Sequence, residues 1–138
     1  MPDLELAGFE ELEHTADWSL RVWAPDLAGL LEQAARGMQD LCGIRIASDR
    51  RELRSLRVEA TDAEGLLVSF LGELLHIAEE EWLAFDTFEL SVSESMANAR
   101  LEGGPIVEQK KEIKAVTYHN LVVEKKSTGL QAVLVFDV

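Results

Sequence analysis

The stretch Leu130 to Val138 is apolar on both of its faces: Leu130, Ala132, Leu134 and Phe136 fill one side, and Val133 and Val135 lie on the other. A strand of that kind has to be covered from two directions, so the pattern predicts a central, buried strand in a layered fold. The strand nevertheless ends on an acidic residue, Asp137, next to Val138. A carboxylate at the end of so apolar a strand calls for a reason.

Elements able to cover it are visible upstream. Pro25 and Asp26 open a segment in which Leu27, Leu30, Leu31, Ala34, Met38, Leu41 and Cys42 recur at three- and four-residue spacing, an amphipathic helix stopped by Gly43. A second helix is expected from about residue 62 to 81. Thr61-Asp-Ala-Glu64 offers its capping box, Leu67, Phe70, Leu71, Leu74, Leu75 and Ala78 its buried stripe, and Glu79-Glu80-Glu81 its exposed end. Strand alternation marks Trp18–Val22 and Leu53–Ala60, and a hairpin is expected from Phe85–Ser93 and Met96–Glu102 across Glu94-Ser95. Gly103-Gly104-Pro105 reads as a break and Glu108–Glu112 as a loop, while Tyr118–Lys126 and Leu130–Val138 read as a final strand pair around Ser127-Thr128-Gly129. With no repeat and no composition boundary, 138 residues are expected to form one domain, 1–138.

Charge narrows the function. Thirteen Lys and Arg against 26 Asp and Glu give a net charge of −13, which repels phosphate backbones and anionic lipids. Stable, direct binding to nucleic acid or membrane is therefore not expected. Any RNA-related role would run through a partner protein, or through the local basic stretch Lys110, Lys111, Lys114, Lys125 and Lys126. A single cysteine, Cys42, excludes an intrachain disulfide framework and reads as a buried thiol. The first residues lack the basic and apolar regions of a signal peptide, and no segment is apolar enough to span a membrane, so a cytoplasmic protein is expected.

Few residues offer chemistry. His14-Thr15-Ala16-Asp17 lies where a loop enters the first clear strand, a common setting for functional side chains but also for a simple turn. Asp137 and the terminal carboxylate of Val138 are adjacent anions that either raise one another's pKa or recruit a cation, and hard oxygen donors suit Ca²⁺, Mg²⁺ or Mn²⁺. Glu73-Leu-Leu-His76 has the Glu-x-x-His spacing of carboxylate-bridged metal bundles, but those need two copies, and here the pair falls on the polar side of its helix. Ile113-Lys-Ala-Val-Thr-Tyr-His-Asn120 concentrates Lys114, Thr117, Tyr118 and His119 before an expected strand. No phosphate-cradling loop, zinc spacing or nucleophile elbow is present, and nothing near Cys42 would activate a thiol, so no catalytic residue is assigned.

Taken together, three separated motifs resemble the archease family: His14-Thr-Ala-Asp17, Ile113-Lys-Ala-Val-Thr-Tyr-His119 and the terminal Phe136-Asp137-Val138, in that order across nearly the whole chain. The second helix departs from the family's usual Asp-Trp-Leu-Asn, with Ser69, Phe70, Leu71 and Gly72 in those places. Gly72 in mid-helix suggests close packing against the sheet or a partner.

The resemblance implies an α+β fold, two helices packed on a mixed, largely antiparallel sheet. It also implies a non-enzymatic protein cofactor that promotes guanylylation and multiple turnover of an RtcB-type 3′-phosphate RNA ligase in tRNA splicing or RNA repair. Asp17, Asp137 and Val138 would bind a divalent cation (Ca, Mg or Mn), and Lys114, with His119 and Glu73, would serve activation or partner contact. Two other readings stay open: a small metal-dependent phosphoester hydrolase, and a plain interaction or chaperone module.

Overall fold

In the computed structural model, residues 6–12, 18–93 and 95–138 are described. In chain order they form β1 (Gly8–Leu12), β2 (Trp18–Ala24), α1 (Leu27–Leu41), β3 (Arg45–Ile46), β4 (Glu52–Glu59), α2 (Ala63–Glu81), β5 (Leu83–Val92), β6 (Met96–Glu108), β7 (Ala115–Thr117), β8 (Glu124–Lys126) and β9 (Gly129–Asp137).

The twofold apolar strand is central in its sheet, but it is not covered from both directions as expected: Ala132, Leu134 and Phe136 are buried, whereas Val133 and Val135 on the other face are only half-buried and lie outside the core. β9 pairs with β2 along one edge, Trp18 opposite Phe136 through Ala24 opposite Leu130, and on its other edge with β7 near its end and β8 near its start. β1 lies outside β2 and completes a five-stranded sheet. A second sheet is built on the long β6, flanked by β4 and β5, with β3 pairing its last residues. α1 packs on β1, β2 and β9 and reaches β5, whereas α2 packs on β4 and β5 and touches β7. Leu20, Val22, Leu134 and Phe136 meet Leu30, Leu31, Leu66, Leu67 and Phe70 in one continuous core. The expected α+β architecture of two helices on antiparallel sheet is thus present, but in two sheets, and without the mixed character: every strand pairing described is antiparallel.

Both helices are capped by aspartate. Asp26 and Asp62 are extended and each accepts a hydrogen bond at 2.8 Å from a backbone N–H three residues on, Gly29 and Gly65. Such caps contribute about 1 kcal/mol each. α1 stops at Cys42, after which Gly43 turns the chain at φ +65°, the left-handed geometry that costs glycine least. α2 stops differently, because its cap residue, Trp82, is itself left-handed at φ 52°.

Several expectations need correcting. The cap of α2 is Asp62, not Thr61, and Glu64 reaches across to accept from the backbone N–H of Val123 at 2.7 Å. Gly103-Gly104-Pro105 does not interrupt the strand, since β6 runs through it to Glu108. The glycine is there because a Cβ at position 103 would lie 1.8 Å from the carbonyl oxygen of Ala84. Tyr118–Lys126 is not one strand. Asn120, at φ 53°, and a Leu121 N–H to Tyr118 carbonyl bond of 3.0 Å turn the chain out between β7 and β8. Gly72 does not mark close packing within the fold, because a Cβ there meets nothing within 4 Å. β1, β3 and β7 were not expected at all; each is short, at five, two and three residues, too brief for alternation to announce it.

Candidate functional site

The end of the five-stranded sheet where β9 finishes is assembled by the segment 109–114. It starts from the C-terminus of α1, where the Cys42 carbonyl, one of the acceptors a helix end leaves free, takes the N–H groups of Lys110 at 2.9 Å and Lys111 at 3.0 Å. Ile113 is then buried in the core, and the N–H of Lys114 donates to the Asp137 carbonyl at 2.8 Å, entering β7 with Ala115 opposite Asp137. The same segment lays the Lys111 ammonium over the Trp18 ring, 4.7 Å from its centre, within cation–π range. Trp18 in turn pairs with Phe136, the residue before Asp137.

Two expected site residues are therefore brought together. Lys114 and Asp137 are both exposed, joined through the backbone, with the Asp137 carboxylate and the Lys114 ammonium in no ion pair with a described residue. Val138 follows directly and is 44% exposed. Glu73 and His76 sit on the outer face of α2, a solvated helix face. His119 lies in the turn after β7, its N–H on the Thr117 hydroxyl at 3.2 Å while that hydroxyl donates to the Val135 carbonyl at 3.0 Å. The turn is thereby tied to β9, and it displays Tyr118 and Val122 at 60% and 57% exposure. His14 and Asp17 lie outside the described residues.

The donor chemistry fits a hard divalent cation. Asp137 offers exposed carboxylate oxygens at a position fixed by β9, the donor type that Mg²⁺, Ca²⁺ and Mn²⁺ prefer. Among the described residues no three His, Cys, Asp or Glu side chains cluster, and the third expected carboxylate, Asp17, is not one of those residues.

Cys42, at the root of this assembly, is buried. Burial pushes its thiol up to about 11, opposed by a bond from the Ile113 backbone and reinforced by the Glu112 charge. A thiol so protonated is no nucleophile at neutral pH, as the sequence suggested. What the sequence did not disclose is the role of Lys111, Trp18 and Glu64. All three work through contacts distant in the chain, and the only local hint was the polar charge run Glu108–Glu112.

Among the described residues no helix is long and apolar enough to cross a membrane. The family model for the archease protein family matches residues 9–138. An archease of Thermococcus gammatolerans is 34% identical, the alignment covering 88% of this chain and 91% of that one; an archease of Archaeoglobus fulgidus is 34% identical, covering 92% and 96%. Among solved structures, a Thermotoga maritima protein described as an archease and possible chaperone superposes with a TM-score of 0.72 at 22% identity, covering 94% of this chain and 96% of that chain. The solution structure of Methanobacterium thermoautotrophicum protein 1598 gives 0.70 at 24%, covering 95% and 99%. With a family match spanning both sheets and the β7–β9 end at which Lys114 meets Asp137, the chain belongs to the archease family.

Proposed function

We propose that this chain is a cytoplasmic, non-enzymatic protein cofactor that promotes guanylylation and multiple turnover of an RtcB-type 3′-phosphate RNA ligase, in tRNA splicing or RNA repair. Family membership suggests the role. The observation that carries it to particular residues is the 2.8 Å bond from the Lys114 N–H to the Asp137 carbonyl, which holds at one exposed strand end an ammonium and a carboxylate that form no ion pair with a described residue. Asp137, Val138 and Asp17 would hold a divalent cation, which supplies charge neutralisation for phosphate oxygens when bound.

The chain's own side chains would position and steer. Lys114 would present a cation to a phosphate, since its ammonium is in no ion pair with a described residue. The net charge of −13 favours approach to a basic, RNA-binding protein. His119 and the exposed Tyr118 and Val122 stand on a turn fastened to both β9 and α2, suited to partner contact. The chaperone description of the Thermotoga relative gives a second reading, in which that turn binds without any metal.

The test is guanylylation of a purified cognate ligase with GTP, with and without this protein at substoichiometric amounts. The guanylylated fraction and the number of turnovers should rise, and the protein alone should neither join RNA nor hydrolyse GTP. An unchanged ligase sinks the activator reading; hydrolysis by the protein alone makes it an enzyme.

A further inference from the structure

The C-terminal end of α2 carries a groove against the segment 109–114, which also builds the site described above. Leu75, Ala78 and Glu79 recur at i, i+3 and i+4 on one face of the helix, and with the cap residue Trp82 they face Glu112 and Ile113 across a cavity of about 60 Å³. That is far below the roughly 300 Å³ at which small-molecule sites begin, and it suits the head group of one side chain. Ile113 provides an apolar floor. Glu79 and Glu112 stand at the rim, and neither pairs with a described cation, whereas Glu81 and Glu108 nearby in sequence are tied to Arg54 and Arg45. Lys111, next to Glu112 in sequence, is engaged on the Trp18 ring.

One wall is Trp82, 59% exposed. Its backbone is anchored, the carbonyl accepting from Ile106 N–H at 2.8 Å, and its φ of 52° is one that bulky side chains rarely adopt. A large aromatic side chain on an anchored backbone is thus exposed to solvent, beside two carboxylates that pair with no described cation, where helix termination would favour glycine.

We propose that this groove receives an arginine side chain from a basic protein partner. A guanidinium is planar and stacks on an indole, and its five donors reach two carboxylates at once, which a lysine ammonium matches less well. The net charge of −13 draws basic chains in general; the ring and the paired carboxylates select the residue. This goes beyond the ligase reading, because it holds whichever basic protein supplies the arginine.

The experiment is a titration of the ¹⁵N-labelled full chain with a capped Leu-Arg-Leu peptide and with its citrulline analogue, equal in shape but uncharged. The Trp82 indole N–H resonance, identified by its loss in Trp82→Asn, is followed alongside all others. Asparagine tolerates the left-handed backbone, so that variant keeps its fold. We expect a saturable shift centred on Trp82, with binding at least tenfold weaker for the citrulline peptide and for the Glu79→Gln/Glu112→Gln double variant, whose replaced side chains are exposed. Equal binding of the citrulline peptide, an unaffected double variant, shifts spread over the acidic surface without saturation at Trp82, or a shift produced by protein concentration alone through self-association would each overturn the proposal.

Discussion

The side-chain amide of Gln39 holds the backbone of Phe85 at both of its groups, donating to its carbonyl at 2.7 Å and accepting from its N–H at 3.1 Å. A residue of α1 thereby stands in for a neighbouring strand where β5 shifts register between Phe85 and Thr87. Because α1 rests on the five-stranded sheet, this contact also fastens the two sheets together through the helix.

Gln39→Ala should therefore cost more than a surface glutamine would. It leaves a backbone donor and acceptor without partners next to the buried Phe85 ring, and each such group costs about 1–3 kcal/mol. We expect a loss of about 2–4 kcal/mol in urea denaturation. Gln39→Glu keeps the acceptor but faces the Phe85 carbonyl with another oxygen, so its loss should shrink at low pH, where a protonated carboxyl can donate.

Cys42 gives the fold an alkaline sensitivity. Its thiol is raised from 9.0 to about 11 by burial, so between those values the folded chain holds a proton that the unfolded chain has released. Stability is then fully present below about pH 9 and falls as pH rises toward about 11, by an amount on the order of 2–3 kcal/mol. Comparing urea unfolding of the parent and Cys42→Ala from neutral pH to pH ~11 isolates this group from the lysines that titrate nearby. The parent should show the steeper decline, and parallel curves would refute the assignment.

Two glycines should respond to alanine with opposite signs. At Gly103 a Cβ would lie 1.8 Å from the Ala84 carbonyl oxygen and 2.6 Å from the Phe85 Cα, both backbone atoms. Gly103→Ala must push β5 off β6 and should cost at least ~3 kcal/mol or prevent folding. At Gly72 a Cβ meets nothing within 4 Å, so Gly72→Ala gains helix propensity and should stabilise by up to ~1 kcal/mol. Thermal unfolding of the two variants checks both; a destabilised Gly72→Ala would mean that the helix itself resists the side chain.

The same residues show what was legible in the sequence and what was not. α1, α2 and the central β9 announce themselves because their burial follows a period, and Leu30, Leu31, Phe70, Leu134 and Phe136 are buried where that period places them. Gly103 misleads because glycine marks turns by its backbone freedom, yet it is also the residue that permits close approach, and sequence alone does not say which applies. Gln39 and Glu64 look like surface residues because their partners, Phe85 and Val123, are 46 and 59 residues away. At the site, Lys114 and Asp137 were legible as members of two separate motifs, but their bond to each other is a matter of register.

That register separates what Lys114 does for the fold from what it offers a partner. Its N–H bonds to the Asp137 carbonyl while its ammonium pairs with no described carboxylate, so Lys114→Ala retains the structural contact and removes the charge. Its stability should stay within about 0.5 kcal/mol of the parent, as for other surface changes. Lys114→Pro removes the donor as well, and should cost about 1–3 kcal/mol by leaving the Asp137 carbonyl unmatched and loosening β7 from β9. Both variants should stimulate ligase guanylylation less than the parent if the ammonium acts on the partner. Asp137→Asn keeps shape and backbone pairing but removes the anion, so it should weaken Mg²⁺, Mn²⁺ or Ca²⁺ binding in calorimetry while hydrogen exchange in β7 and β9 stays unchanged. Added salt should reduce stimulation by the parent, since exposed charges are screened over about 8 Å at physiological ionic strength. If Lys114→Ala stimulates as well as the parent and only Lys114→Pro fails, the strand end matters as a shape, and the charge at position 114 has no part in activation.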